Sequence, residues 1–331
     1  MAELQAQSPQ RLVLAYRPEG FQRVGGLLRI AQDIVSELHA THPCRSVTTL
    51  SSTSQGVLKG TLPCRKLRKG DQLLIVGCDC AWAYGLAVLA RLRQLPVSWL
   101  PSFHNPAHAV HPSKAHLAQL VLKLLQNIGV AIYAQTAIEQ SLLQSRFSPR
   151  CLLSGHGLPA KIRKMLLRGD LPNHGENRPI DLLFLGRPTL QKGWPTFIAL
   201  ARSTQLRCEA IVPTKVDEPD GITLHHCPTD NEVEQLLHQA KLVVIPANYE
   251  SFGIAQLEAI AAGCVVPILG DWPLWDGFSV LQWQHLTADQ LASHCEQLCN
   301  VSAQRQWLHQ QQWGHLCRHP VVHTPILPGL A

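Results

Sequence analysis

The alternation of short apolar runs with longer amphipathic segments constrains the fold of this chain more than any other feature. Apolar runs lie at 11–16, 73–76, 97–100 and 130–133, with helical patterns such as GLLRIAQDIVSELHA between them. Strands of a parallel sheet are buried on both faces and are joined by helices, so their sequences are continuously apolar. The first half is therefore predicted to form a parallel α/β sheet covered by helices.

The same pattern repeats after residue 180. Apolar runs at 181–185, 208–212, 242–246 and 265–269 alternate with helical patterns at 194–203, 232–239 and 252–262. Between the halves, LRGDLPNHGENRP (167–179) has the composition of a linker. A chain of 331 residues is long enough for two medium domains. We predict domains at 1–171 and 172–301, followed by a helix and tail at 302–331.

Composition narrows the class of protein but not its partner. Apolar residues make up 46% of the chain and charged residues 16%, so sizeable cores are expected. The net charge of +6 suits an anionic small molecule, a nucleic acid or an acidic membrane surface equally. The eleven cysteines contain no paired CxxC, so neither a structural zinc site nor a thioredoxin-like motif is predicted.

Two features bear on location in the cell. The amino terminus lacks a basic segment followed by an apolar run, so a cytoplasmic protein with reduced thiols is expected. The apolar stretch 73–90 contains Asp79 and is interrupted by Gly77 and Gly85. It therefore predicts a strand, a turn and a helix instead of a membrane span.

The segment 242–270 carries the residues with the clearest chemical meaning. An apolar strand is followed by a short loop and a helix, for which Ser251 is the predicted N-cap and Gly263 the predicted C′ residue. Loops at the carboxyl ends of parallel strands form ligand sites. Gly253 lies at the predicted helix start, where the absence of a side chain lets backbone N–H groups approach a phosphate.

Two acidic residues flank this helix start. Glu250 precedes the helix and Glu258 lies about two turns into it, roughly 10–12 Å further along the axis. This spacing favours contacts along one elongated ligand over a paired carboxylate dyad. Glu258 is suited to vicinal hydroxyls such as those of a ribose.

The segment YESFGIAQLEAIAAG resembles the EX7E motif of retaining glycosyltransferases with the GT-B fold, family 4 type. Further segments are similar to that family in the same order along the chain: VGGLLRIAQDIVSEL with Gly25 and Gly26, PVSWLPSFHNP with His104, LLSGHGLP at 152–159, and DLLFLGRPTLQKG with Arg187 and Lys192. The turn at Gly157, Leu158 and Pro159 departs from the family because no acidic residue follows it.

This resemblance implies an α/β fold of two Rossmann-like domains facing a cleft, with a C-terminal helix crossing back to the first domain. It also implies transfer of a sugar from a nucleoside-diphosphate sugar to an acceptor hydroxyl, with retention of configuration and without a metal. The implied site comprises Glu250 and His104 as catalytic residues at the sugar, Glu258 at the ribose, Arg187, Lys192, Phe252, Gly253 and Ile254 at the diphosphate, and Gly25 and Gly26 in a loop near the sugar and acceptor.

The expected partners follow from this resemblance. They are a UDP-, GDP- or ADP-sugar and an acceptor glycan, lipid-linked or small molecule, without a cofactor. The sequence contains no Asp-x-Asp pair that would hold a metal. The basic runs 59–70 and 161–168 indicate either a solvated surface or contact with anionic lipid at the inner membrane face. Nucleic-acid binding is not expected, because no aromatic residues interleave these charges.

Other interpretations remain open at this stage. A sugar-nucleotide epimerase of the same fold, or a non-catalytic relative that binds nucleotide sugars, would carry many of the same residues. Histidines also cluster at positions 104, 108, 111 and 116, and at 225 and 226 beside Cys227. Neither cluster has the spacing of a zinc site, so both are predicted to be ordinary polar residues.

Overall fold

The computed structural model describes residues 11–16, 34–35, 47–51, 65–76, 81–100, 120–121, 123–134, 137–146, 151–154, 158–173, 177–248, 250, 252–270 and 272–324. The chain divides into two compact units. The first comprises residues 1–160 with 324–331, and the second comprises residues 161–323.

The first unit contains a six-stranded parallel sheet with the order β2-β1-β3-β4-β5-β6. Its strands are β1 (Leu12–Tyr16), β2 (Val47–Ser51), β3 (Gln72–Val76), β4 (Val97–Leu100), β5 (Val130–Ala134) and β6 (Cys151–Leu153). Its helices include α1 (Ala81–Leu92) and α2 (Ala137–Arg146). Every residue of β3 and β4 is buried, as expected for strands covered on both faces.

The core of the first unit lies between this sheet and α1. Trp99 on β4 is fully buried, and its ring lies 4.9 Å from that of Tyr84 on α1. The predicted strands β1, β3, β4 and β5 and the helix α1 are confirmed, so the apolar stretch 73–90 forms a strand followed by a helix. The strands β2 and β6 and the helix α2 were not predicted. No described helix is long and apolar enough to span a membrane.

The second unit contains a four-stranded parallel sheet with the order β10-β7-β8-β9. Its strands are β7 (Ile180–Leu185), β8 (Cys208–Val212), β9 (Ile222–His226) and β10 (Ala240–Val243). Its helices are α3 (Ala160–Arg168), α4 (Trp194–Arg202), α5 (Asp230–Gln239), α6 (Ile254–Ala261), α7 (Ala288–Asn300), α8 (Ser302–Arg318) and the short Pro320–His323. Two 3₁₀ turns, Leu190–Lys192 and Pro273–Trp275, also belong to it.

Most elements of the second unit confirm the predictions, with three differences. The segment 265–269 forms only single parallel bridges, between Val265 and Leu242 and between Ile268 and Gln282. The strand β9 and the helix α7 were not predicted. The units also divide after Ala160 and not at the predicted residue 171, because α3 groups with the second unit.

The tail helix α8 has the predicted position along the chain and groups with the second unit. Its buried Gln312 bonds to both backbone groups of Val266, while His309 Nε2 lies 2.8 Å from the carbonyl of Ile260 at α6. Arg305 donates to the carbonyl groups that end α7. These polar side chains satisfy buried backbone groups of the second unit, and this holds α8 there.

Candidate functional site

The sheet of the second unit has a topological switch point between β7 and β10, where the chain turns from one side of β7 to the other. From β7 the chain proceeds through β8 to β9, and it then returns to β10 on the other side of β7. In open parallel sheets, ligands bind outside the carboxyl ends of the strands at such a point. The loop after β7 carries Arg187 and Lys192, and the loop after β10 carries Glu250.

Backbone contacts hold these two loops together. The N–H of Asn248 donates to the carbonyl of Gln191 at 2.9 Å, and its side-chain amide donates to the carbonyl of Leu190 at 3.1 Å. Gly193, with φ +71°, packs directly on Pro246, where an added Cβ would lie 1.8 Å from the carbonyl oxygen. The relative positions of Lys192 and Glu250 are therefore fixed by the backbone.

Lys192 and Glu250 form an ion pair across the switch point. The ammonium of Lys192 donates directly to Glu250 Oε1. The side chain of Glu250 is 8% exposed and that of Lys192 is 19% exposed, so the pair is mostly removed from water. Arg187 is exposed, and its guanidinium donates to the side-chain oxygen of Gln191 at 3.0 Å. Two cationic groups and one carboxylate thus line the same end of the sheet.

The helix α6 begins beside this ion pair and has no side-chain cap among the described residues. Its N-cap is Gly253, with φ +92°, and not the predicted Ser251, which lies outside the described residues. By contrast, α5 and α7 both begin with complete capping boxes, at Thr229 and Thr287. An uncapped helix start keeps backbone N–H groups and a partial positive charge for an anionic ligand. At the other end, Gly263 follows the helix with φ +87°, which confirms the predicted C′ glycine.

The remaining predicted residues of this segment lie on or next to α6. Phe252 is buried and anchors the helix start, and Ile254 is half-buried in its first turn. Glu258 is also half-buried and lies one turn further along the helix. The second unit therefore brings together Arg187, Lys192, Glu250 and the start of the helix that carries Glu258. His104, Gly25 and Gly26 lie outside the described residues.

A buried polar contact that the sequence analysis missed supports the helix start. Gln256 is fully buried, and its side-chain oxygen accepts a hydrogen bond of 2.6 Å from the indole of Trp275. Trp275 in turn stacks on His315 of α8, whose Nε2 lies 3.0 Å from the carbonyl of Leu274. Burial lowers the pKa of His315. The sequence feature that could have indicated this contact is the position of Gln256, a polar residue among the apolar residues of the predicted helix 252–262.

The histidines at 225 and 226 have local partners. His225 Nε2 lies 2.7 Å from Glu209, a buried carboxylate that also accepts from Arg207. His226 Nδ1 lies 3.3 Å from the carbonyl of Thr214. In the part of the chain that the structure describes, no three His, Cys, Asp or Glu side chains form a group able to hold a metal ion.

Comparison with known proteins agrees with this architecture. Residues 219–269, which include β9 to α6, match the family model described as glycosyl transferases group 1. None of the curated protein sequences matches the chain. Among solved structures, Anabaena HepE in complex with UDP and glucose is 14% identical, with a TM-score of 0.57 and coverage of 95% of this chain and 96% of that one. The fold is that of the GT-B glycosyltransferases.

Two further solved structures have the same fold over nearly their whole length. An alpha-glucosyltransferase in complex with UDP-glucose and DNA containing an abasic site is 11% identical, with a TM-score of 0.63 and coverage of 94% of this chain and 96% of that chain. Sucrose-phosphate synthase from Thermosynechococcus elongatus is 13% identical, with a TM-score of 0.61 and coverage of 95% and 96%. The matched segment and these neighbours support a glycosyltransferase. The DNA belongs to that neighbour, and the absence of a nucleic-acid partner stays a prediction for this chain.

Proposed function

We propose that this chain is a retaining, metal-independent glycosyltransferase that moves a sugar from a nucleoside-diphosphate sugar to an acceptor hydroxyl. The observation that carries the proposal is the juxtaposition of Lys192, Glu250 and the uncapped start of α6 at the switch point between β7 and β10. Cations and backbone N–H groups can bind the diphosphate of such a donor, and a carboxylate can accept hydrogen bonds from the hydroxyl groups of its sugar.

The diphosphate end of the donor is assigned to the cationic side of this site. Cleavage of the sugar–phosphate bond leaves additional negative charge on the departing diphosphate. Lys192, Arg187 and the N–H groups of Gly253 and Ile254 would stabilise that charge, and charge-assisted contacts are about twice as strong as neutral ones. In this assignment, protein groups supply the stabilisation that a metal ion supplies elsewhere.

The two glutamates are assigned to hydroxyl groups at opposite ends of the donor. Glu250, beside Lys192, would accept hydrogen bonds from the transferred sugar, and Glu258 would accept them from the ribose. The resemblance adds His104 at the sugar and Gly25 and Gly26 near the acceptor. UDP-glucose is the first donor to test, because UDP or UDP-glucose is bound in several structures of similar fold.

A membrane surface is a second proposed partner. The basic run 161–168 forms α3, which buries Ile162 and Leu166 and exposes Lys164, Leu167 and Arg168. Exposed cations beside an exposed leucine suit anionic lipid headgroups and would give a cytoplasmic protein a peripheral location. Sedimentation with phosphatidylglycerol vesicles at low and high salt tests this. Equal binding to neutral and anionic vesicles, or no binding to the anionic vesicles, would reject the proposal.

Thermal unfolding in the presence of UDP-, GDP- and ADP-sugars with EDTA tests the donor site. A ligand at 100 times its Kd stabilises the folded state by about 2.7 kcal/mol, which raises Tm by several degrees. One nucleotide is expected to stand out. If none binds the folded protein, the proposal fails.

Turnover then separates an enzyme from a binding protein. With the stabilising donor, release of the nucleoside diphosphate is measured for the wild type, for Glu250→Ala and for Glu234→Ala, which removes an exposed carboxylate of the same unit. Glu250→Ala is expected to abolish release and Glu234→Ala to retain it. Equal turnover in Glu250→Ala and the wild type would refute the catalytic assignment. Binding without any turnover would indicate the non-catalytic relative, and donor conversion without acceptor would indicate an epimerase.

A further inference from the structure

Lys192, the cation best placed for a diphosphate, already forms an ion pair with a carboxylate of the protein. Lys192 donates to Glu250, and both side chains are largely buried. Arg187, the other cation of the loop after β7, bonds instead to a neutral amide oxygen of Gln191 and is exposed. Lys192 is therefore the cation whose charge is neutralised by a carboxylate at this site.

The pair is held in place by its surroundings. Lys192 ends a 3₁₀ turn, and its Cγ packs over Gly186, where an added Cβ would lie 3.7 Å away. The contacts of Asn248 and Pro246 described above join the two loops that carry the pair. A ligand anion that approaches Lys192 therefore also approaches the Glu250 carboxylate, because neither loop can withdraw independently.

Two ligands of the same site would meet this carboxylate differently. At the Glu250 end of the site, a nucleoside diphosphate brings only negative charge, because its ribose hydroxyls are assigned to Glu258. Glu250 repels this charge and competes with it for Lys192. A nucleotide sugar brings hydroxyl donors as well, and these can hydrogen-bond to Glu250 when Lys192 turns to the diphosphate. Glu250 thus opposes the diphosphate alone and favours the diphosphate joined to a sugar.

We propose that Glu250 and the diphosphate compete for Lys192, so that the site discriminates against the nucleoside-diphosphate product in favour of the intact nucleotide sugar. This inference rests on the proposed donor site and extends it to product release. It assigns Glu250 a role in specificity that is separate from any contact in the transition state. Its consequence is that loss of the Glu250 charge should strengthen product binding, although the residue belongs to the site.

Isothermal titration with nucleotides alone tests this without any turnover. UDP, GDP and ADP are each titrated into the wild type, Glu250→Gln and Glu234→Gln. Glu234→Gln is a matched control because it removes the same charge from another Lys–Glu pair of the same unit, the exposed pair with Lys161. Glu250→Gln is expected to bind the preferred diphosphate about 10-fold more tightly at low salt, with a smaller gain at high salt. Glu234→Gln should bind as the wild type does.

A second pair of variants asks whether Lys192 mediates the effect. In the Lys192→Met background, Glu250→Gln should no longer give the full gain, because the cation for which the two anions compete is absent. The non-reacting donor analogue, with a sugar joined through a stable linkage, should bind Glu250→Gln less tightly than the wild type. Circular dichroism and Tm establish that each variant is folded, and Glu250→Ala, which also removes the charge, replaces Glu250→Gln if that variant does not fold.

The outcomes separate this inference from the proposed function. If the wild type binds a nucleoside diphosphate and Glu250→Gln binds it equally or less tightly, Glu250 organises Lys192 instead of competing for it, and the inference is overturned while the donor site stands. An equal gain with and without Lys192 also overturns it. If no nucleotide or nucleotide sugar binds the wild type, the proposed function fails first.

Discussion

Gly193 and Pro246 are in direct backbone contact, and this contact joins the two loops of the candidate site. A Cβ at Gly193 would lie 1.8 Å from the carbonyl oxygen of Pro246 and 2.4 Å from its carbonyl carbon. The glycine also has φ +71°, a conformation that L side chains rarely adopt. The close approach excludes any other residue without a shift of one loop, and the positive φ adds backbone strain.

Gly193→Ala is therefore expected to destabilise the second unit by about 2–4 kcal/mol and to weaken nucleotide binding, because the clash moves Lys192 relative to Glu250. Gly277→Ala is the matched control, since Gly277 has φ +73° but no atom within 4 Å of an added Cβ. Gly277→Ala should lower the free energy of unfolding by only about 1–2 kcal/mol. Urea unfolding measures both, and equal losses would show that the contact with Pro246 is unimportant.

Arg178 stabilises the second unit from the opposite end of β7. It is 3% exposed and donates to the carbonyl groups of Leu237, Ala240 and Ala262, at or near the ends of α5 and α6. A cation at helix carboxyl ends is favourable. Arg178→Met would leave buried carbonyl groups without donors and should cost about 3–5 kcal/mol in urea unfolding. Arg202→Met, at an exposed position, should change stability by less than about 0.5 kcal/mol.

His315 should make the second unit sensitive to mild acid. Burial lowers the pKa of His315 and of His319, so the folded state favours the neutral imidazoles. The associated stability is fully present above the unfolded value of about 6.5 and is lost as the pH falls below it. At His315, the positive charge of Arg318 lowers the pKa further, whereas the negative charge of Asp276 raises it.

The measurement is the free energy of unfolding of the second unit at pH 7.5, 6.0 and 5.0. His315→Gln retains a donor for the carbonyl of Leu274 but does not titrate, so its stability should fall less between pH 7.5 and 5.0 than that of the wild type. His285→Gln, at a histidine for which no such contact occurs among the described residues, serves as the control. Parallel curves for His315→Gln and the wild type would contradict the prediction.

The first unit contains an acid-sensitive ion pair in a lower pH range. Arg11 donates to both oxygens of the buried Asp71, which also accepts from the N–H of Arg68. These bonds lower the pKa of Asp71 despite its burial. The stability from this pair is present above about pH 4 and is lost as the pH falls through the lowered pKa.

Arg11→Met should therefore destabilise the first unit by about 2–4 kcal/mol at pH 7 and by less near pH 3. Arg65→Met, at an exposed position in the turn before β3, is a suitable control. Hydrogen exchange of the β1 and β3 amides, followed by mass spectrometry, reports this unit separately. A loss that does not depend on pH would contradict the assignment to Asp71.

Apolar runs and helical periodicity predicted most strands and helices, but not the elements in which these patterns are weak. The strand β4 has the bounds of its apolar run, and the helix α8 begins at the predicted residue 302. The strand β2, VTTLS, is mostly polar and lies at the edge of its sheet, so it lacks the apolar run that marks a central strand. The run 265–269 has that apolar character, yet tertiary contacts leave it with single bridges.

The sequence by itself determined the α/β class, the presence of two sheets, and the candidate residues at the carboxyl ends of strands, because each depends on periodicity or on spacing within one segment. Only the tertiary structure decided that Lys192 pairs with Glu250, that Gly193 packs on Pro246, and that α8 belongs to the second unit. The pair spans 58 residues of chain. Such contacts depend on which strands become neighbours, and strand order is set by packing of the whole unit and leaves no local pattern.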